Sequence, residues 1–243
     1  MANTPKWQGT NWPWAKQWGA WWLGACVGTA LVQIVFDAIA TLFMLRLGTE
    51  GMGPNPWVLA LFRLLGATGG GLLQWAVLKQ AIAHSRGWVA ATGIGSALGL
   101  LASNGLWAAT VIPVDQNPLE SFLMPPTSVL PQFLFDGVYG AVLGIVQWLA
   151  LRSIAKPAGA KQTGLLAWPT GWIGVSVVAV IANTVAIALI VRGFGMAGLD
   201  VGGSYDPVYW AIALVGALIY GAITGGFWTL HLSPAPSAPS PEP

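Results

Sequence analysis

Six apolar runs, each about the length a helix needs to cross a bilayer, are separated along the chain by short breaks rich in glycine, proline and polar residues. They span Trp18–Leu47, Trp57–Ala83, Trp88–Ile112, Val129–Ile154, Gly171–Arg192 and Pro207–Leu232. A segment in hydrocarbon must satisfy its own backbone polar groups, so helices are what these runs predict. The breaks Gly48–Pro56, Pro113–Pro126 and Gly193–Asp206 cannot continue a helix. Being short, they make consecutive helices antiparallel neighbours. The connection Pro113–Ser128 carries Phe122, Leu123 and Met124 beside Pro125-Pro126, and reads either as a solvated loop or as a short amphipathic piece in the interface.

The second, fourth and sixth runs echo one another. Gly66-Ala67-Thr68-Gly69-Gly70-Gly71-Leu72-Leu73-Gln74-Trp75 returns as Gly140-Ala141-Val142-Leu143-Gly144-Ile145-Val146-Gln147-Trp148, and more loosely as Gly221-Ala222-Ile223-Thr224-Gly225-Gly226-Phe227-Trp228. The expected fold is therefore all-α, an integral membrane bundle of six transmembrane helices built from three repeated two-helix hairpins at about 18–83, 88–154 and 171–232. A tryptophan-rich segment, 1–17, precedes the bundle, and a disordered Pro/Ser-rich tail, 233–243, follows it.

Composition points the same way. Charged residues are 7% of 243, against roughly 25% in a soluble domain, and mean hydropathy is +0.66. Eighteen Lys, Arg, Asp and Glu cannot cover the exterior of a soluble chain this size. The one cysteine, Cys26, leaves no intramolecular disulfide or cysteine cluster. The N-terminal residues lack the short apolar core of a cleaved signal peptide, so the first helix is expected to act as its own insertion signal.

Charge sets the expected orientation. Lys6, Lys16, Lys79, Arg86, Arg152, Lys156 and Lys161 fall on the side of the two termini, while Arg46, Arg63 and Arg192 share the other side with seven of the eight acids. Both termini are expected in the cytoplasm of a bacterium, with the chain in its inner membrane. Twelve of the fifteen tryptophans fall on that same face, all but Trp57, Trp107 and Trp210. They read as an interfacial belt, with stacking on a pigment or ligand as the alternative.

Small residues four apart, Gly66/Gly70, Gly140/Gly144 and Gly221/Gly225, read as close-packing stripes, with matching pairs at Gly24/Gly28 and Gly95/Gly99 weakening to Gly174 and Ser176. Five amides lie deep in the runs. Gln33, Asn104 and Asn183 occupy one register of the odd helices, while Gln74 and Gln147 form a second set that Phe227 breaks. An amide in hydrocarbon costs roughly 2–7 kcal/mol without a partner, so these residues must face helices, water or a ligand. Two readings stay open, interhelical hydrogen bonds and a ring of amides lining a cavity.

Asp37, Arg63 and Asp136 share broadly one depth, and an Asp37···Arg63···Asp136 cluster is the expected pairing. Such a cluster either fixes the order of similar hairpins or forms a functional site, with an excess carboxylate for a proton or cation and with Gln132 and Tyr139 about one turn either side of Asp136. His84 and His231 lie at turns or helix ends and read as solvated. No Ser/His/Asp set shares a depth, and there is no His-Glu-x-x-His and no phosphate loop, so no enzyme activity, cofactor or metal is expected.

The pattern Gly-x-x-x-Gly-x-x-Gln-Trp-x-x-Leu-Arg/Lys, seen from Gly140 to Arg152 and loosely from Gly66 to Lys79, resembles that of a diffuse group of bacterial multi-pass membrane proteins with repeated tryptophan-marked hairpins. That resemblance implies a polytopic helical fold and carries no activity with it. The three-hairpin plan is also similar to that of mitochondrial carriers, but their proline-plus-acid and basic signatures are missing from the odd helices here, so that function does not transfer. Two functions are compatible with the sequence: small-solute binding or transport through a pseudo-three-fold bundle, and an accessory or scaffold subunit without transport. The lipid bilayer is the expected partner, with membrane-protein partners or a second copy as further candidates, and nucleic acid is not expected.

Overall fold

The computed structural model describes residues 12–46, 55–80, 85–110, 129–155, 169–196 and 207–231. They form six helices: α1 (Trp12–Arg46), α2 (Pro56–Leu78), α3 (Gly87–Thr110), α4 (Val129–Ala155), α5 (Pro169–Met196) and α6 (Pro207–His231). Each contains a span long and apolar enough to cross a membrane, from Gln17–Met44 in α1 to Trp210–Thr229 in α6. The chain is an all-α integral membrane bundle. The connection Pro113–Ser128, the tail 233–243, the first eleven residues and His84 lie outside the described residues.

Prolines open three of the helices, Pro56, Pro169 and Pro207, where a missing N–H costs nothing and the fixed φ favours the helical turn. Asn55 caps α2, its Oδ1 accepting from the Trp57 N–H at 2.9 Å and the Val58 N–H at 3.4 Å. Three ends differ from expectation by four residues or more. α5 runs to Met196 instead of Arg192, through Gly193 and Gly195, because a glycine weakens a helix without ending it. α1 begins at Trp12 instead of Trp18, because Pro13 is tolerated in a first turn and the tryptophan-rich stretch continues the helix. α2 ends at Leu78 instead of Ala83, with the Lys79 N–H still bonded to the Trp75 carbonyl at 2.8 Å and the Gln80 N–H closing a tighter turn onto Val77 at 3.1 Å.

Each helix packs on its neighbours in the chain, and α6 returns to pack on α1, so the six close into a ring. Antiparallel alternation shows in what meets at one end. Trp18 and Trp22 from the start of α1, Trp88 and Trp172 from the starts of α3 and α5, and Leu78, Leu151 and Trp228 from the ends of α2, α4 and α6 share one buried cluster.

Polarity is inverted relative to a soluble protein. Leu31, Val35, Leu72, Leu149, Val178 and Leu189 are exposed on the outer faces, whereas Gln74, Thr92, Ser96, Gln147, Ser176 and Thr224 are buried inside. Lipid solvates the first group and the second must find partners within the ring.

Glycines set the spacing of several helix pairs. A methyl group added at Gly140 would lie 2.9 Å from the Val177 Cα and 3.0 Å from the Ser176 carbonyl oxygen, so α4 and α5 approach backbone to backbone there. One at Gly99 would lie 3.0 Å from the Tyr139 carbonyl oxygen on α4. Gly24 and Gly174 differ: a methyl group at either would meet nothing within 4 Å. They belong to the sequence stripes but face outward, because a four-residue spacing leaves open which side of the helix the stripe occupies.

Candidate functional site

The buried aromatic cluster closes one end of the ring. Trp18 and Trp22 stack with centroids 5.5 Å apart, Trp22 meets Trp88 and Trp228 edge-on at 6.3 Å and 6.2 Å, and Trp172 lies 4.8 Å from Trp228. These five side chains are at most 1% exposed. This corrects the reading of them as an interfacial belt. A ring of six helices leaves a wide axial gap, and indoles, the largest side chains, fill it. Trp75 and Trp148 do sit nearer the rim, half-buried, with Lys79 Nζ 5.0 Å and Arg152 Cζ 5.3 Å from the respective ring centroids. Trp21 is exposed on the outer face.

Buried indole N–H groups need acceptors, and the deep polar residues supply them. Gln74 Oε1 accepts from Trp88 Nε1 at 3.0 Å, and Gln147 Oε1 accepts from Trp172 Nε1 at 3.3 Å. Each amide also donates to a threonine on the preceding odd helix, Gln74 to Thr29 Oγ1 at 3.4 Å and Gln147 to Thr92 Oγ1 at 3.1 Å. Gln74 on α2 thus bridges α1 and α3, and Gln147 on α4 bridges α3 and α5. Trp22 Nε1 donates to Thr224 Oγ1 on α6 at 3.0 Å, and the Thr224 hydroxyl in turn donates to the Tyr220 carbonyl at 2.8 Å. Phe227, where the amide set breaks, packs against Trp172 at 5.7 Å.

Above the plug stands a cavity of about 480 Å³, with walls from all six helices. Gln74 and Gln147 lie at its plug end, and Gln33, Asn104 and Asn183 contribute from α1, α3 and α5. Asp37, Arg63 and Asp136 line it too, so every amide and intramembrane charge singled out from the sequence borders one space. Glycines make room for two of these amides. Gln33 Oε1 would lie 2.6 Å from a methyl group at Gly66, and Asn183 Oδ1 lies over Gly216.

Of the expected three-residue pairing, the structure shows the contact between Arg63 and Asp37. Arg63 Nη2 lies 3.9 Å from Asp37 Oδ2, with the two side chains 30% and 46% exposed. Asp136 takes a different partner. Gln132 Nε2, four residues earlier on α4, donates to Asp136 Oδ1 at 3.2 Å. Thr184 of α5 stands beside the carboxylate, whose Oδ2 is buried and accepts no hydrogen bond from the described residues.

Asp37 is held in the same manner, Gln33 Nε2 donating to its Oδ1 at 2.7 Å. Both clamps read Gln-x-x-Phe-Asp, at Gln33–Asp37 and at Gln132–Asp136. This second echo is visible in the sequence itself. A glutamine four residues before an aspartate lies on the same helix face and can reach it. The hydroxyls of Ser96, Ser103 and Tyr139 also line the cavity, with Cys26 and Tyr220 near the plug. The two serines were not singled out because a hydroxyl in a helix can bond its own backbone, and so gives no sign of an inward face.

Compared with protein-family models, curated proteins and solved structures, the chain matches none. The reading of its function rests on the site.

Proposed function

We propose that the protein is a non-enzymatic membrane protein that binds a small polar solute in the cavity at the centre of its helical ring and passes it across the bilayer when the indole plug opens. One observation carries this reading: the deeply placed charges Asp37, Arg63 and Asp136, and the amides Gln33, Asn104 and Asn183, all border one cavity of about 480 Å³. A chain that used them only to hold helices together would bury them in pairs between neighbours, as it does Gln74 and Gln147. The volume is within the roughly 300–1,000 Å³ of small-molecule sites.

The orientation proposed from the charge bias gives the plug a place. Lys79, Arg86 and Arg152 lie at the plug end, which we assign to the cytoplasm of a bacterial inner membrane together with both termini, leaving the charged part of the cavity toward the outside. Three hairpins of one ancestral kind would account for the likeness of the Gln74 and Gln147 bonds.

Proteoliposomes test the reading. Under an osmotic gradient of glycerol, vesicles containing the protein should re-swell faster than empty ones, and Ser103→Trp, which fills the cavity from α3, should remove the difference. Re-swelling no faster than in empty vesicles, together with unchanged behaviour of Ser103→Trp, would favour an accessory subunit instead.

A further inference from the structure

We infer that the cavity selects a small organic cation bearing N–H donors, with the ammonium group seated on the Asp136 carboxylate; this names the solute class of the site proposed above and rests on that reading. The chain contains two clamped carboxylates, and they differ in one respect. Asp37 faces Arg63 at 3.9 Å, whereas no Lys, Arg or His among the described residues comes within ion-pairing distance of Asp136. Its Oδ1 accepts from Gln132, and Asp136 stands in a wall of the cavity. A carboxylate out of bulk water calls for a counter-charge or a proton, and no described side chain supplies the counter-charge.

Charge balance agrees. Among the described residues the charged side chains of the lining are Asp37, Arg63 and Asp136, two negative and one positive when ionised, so a ligand carrying one positive charge balances them. An anion would add a second uncompensated negative charge, and a neutral solute would leave the first in place. Tyr139, three residues after Asp136, also lines the cavity, and an aromatic ring attracts a cation. The remaining walls suit the rest of such a molecule, with Asn104, Asn183 and Ser103 able both to donate and to accept. The cavity is far larger than a bare metal ion, so an organic body is the better fit. A carboxylate accepts hydrogen bonds as well as attracting charge, which favours an ammonium with protons to donate over a quaternary one, which can offer charge but no hydrogen bond.

A matched set of probes tests this: ethanolammonium, choline, ethylene glycol and glycolate, titrated by calorimetry against the full chain in non-ionic detergent. Ethanolammonium should bind about ten- to a hundredfold tighter than ethylene glycol, the value of one charge-assisted hydrogen bond, with choline weaker than ethanolammonium and glycolate weakest. Asp136→Asn, nearly identical in shape, should erase the ethanolammonium advantage while ethylene glycol still binds. Equal affinity for ethanolammonium and ethylene glycol, or an advantage that survives Asp136→Asn, overturns the cation assignment and leaves the solute cavity standing. Failure of all four probes to bind overturns both. The rank order in the parent protein decides the matter even if Asp136→Asn does not fold.

Discussion

Trp22, near the start of α1, and Thr224, near the end of α6, are joined by a 3.0 Å hydrogen bond across 202 positions of the chain. The bond lies at the seam where the sixth helix returns to the first. Both side chains are fully buried, so neither can turn to water if the other is lost.

Trp22→Phe and Thr224→Val are each expected to lower stability by about 0.5–1.5 kcal/mol, and the double variant by little more than one of them, since both remove the same bond. Trp22→Ala empties part of the plug and should cost about 3–5 kcal/mol. Thermal unfolding in detergent measures all four. Additive losses in the double variant would show that the two residues do not share an interaction.

Glycines of similar appearance should behave oppositely. Gly140→Ala places a methyl group 2.9 Å from the Val177 Cα, where backbone must move, and is expected to cost about 1–3 kcal/mol. Gly174→Ala meets nothing within 4 Å and should be neutral or up to about 1 kcal/mol stabilising, because glycine in a helix interior carries excess backbone freedom. Equal melting temperatures for the two variants would contradict the packing between α4 and α5.

Arg63→Leu tests how the charges are solvated. A sealed ion pair costs about 3–5 kcal/mol to break, but a solvated one contributes about 0–1 kcal/mol. At 3.9 Å, with side chains 30% and 46% exposed, Arg63 and Asp37 belong to the second kind, and Gln33 still holds the carboxylate when the cation is gone. The melting of Arg63→Leu should therefore stay close to that of the parent. A loss above about 3 kcal/mol would mean that water does not reach the pair.

The six spans were legible because length and apolarity alone decide what can cross a bilayer. So was the inward placement of Gln33, Asn104, Asn183, Asp37, Arg63 and Asp136, because lipid tolerates none of them. The plug was not legible, for a geometric reason. Trp18 and Trp22, four apart, point into the ring while Trp21 points out, and all three lie at one depth, so a count of tryptophans per face cannot separate a plug from a belt. The closure of α6 on α1 was hidden as well, since antiparallel hairpins pack equally well in a row or in a circle. Of the expected pairing, the contact between Asp37 and Arg63 is present, and the Gln132 bond to Asp136 was not foreseen, because depth along the axis does not say which side chain on the same helix a carboxylate takes as partner.

The central claim, a polar cavity reached by water inside a ring of membrane helices, is tested most directly by thiol labelling. With Cys26 replaced by alanine, a single cysteine is placed either on the cavity wall, as Ser103→Cys, or on the outer face, as Val178→Cys, which is 56% exposed and faces lipid in a membrane. A membrane-impermeant methanethiosulfonate reagent is then applied to each side of sealed vesicles in turn. Thiolate forms only in water, so Ser103→Cys should react from the side away from the plug and not from the plug side, while Val178→Cys stays unmodified from both. Should Ser103→Cys prove as unreactive as Val178→Cys from either side, the space between the helices is dry, and the solute reading and its cation preference fall together.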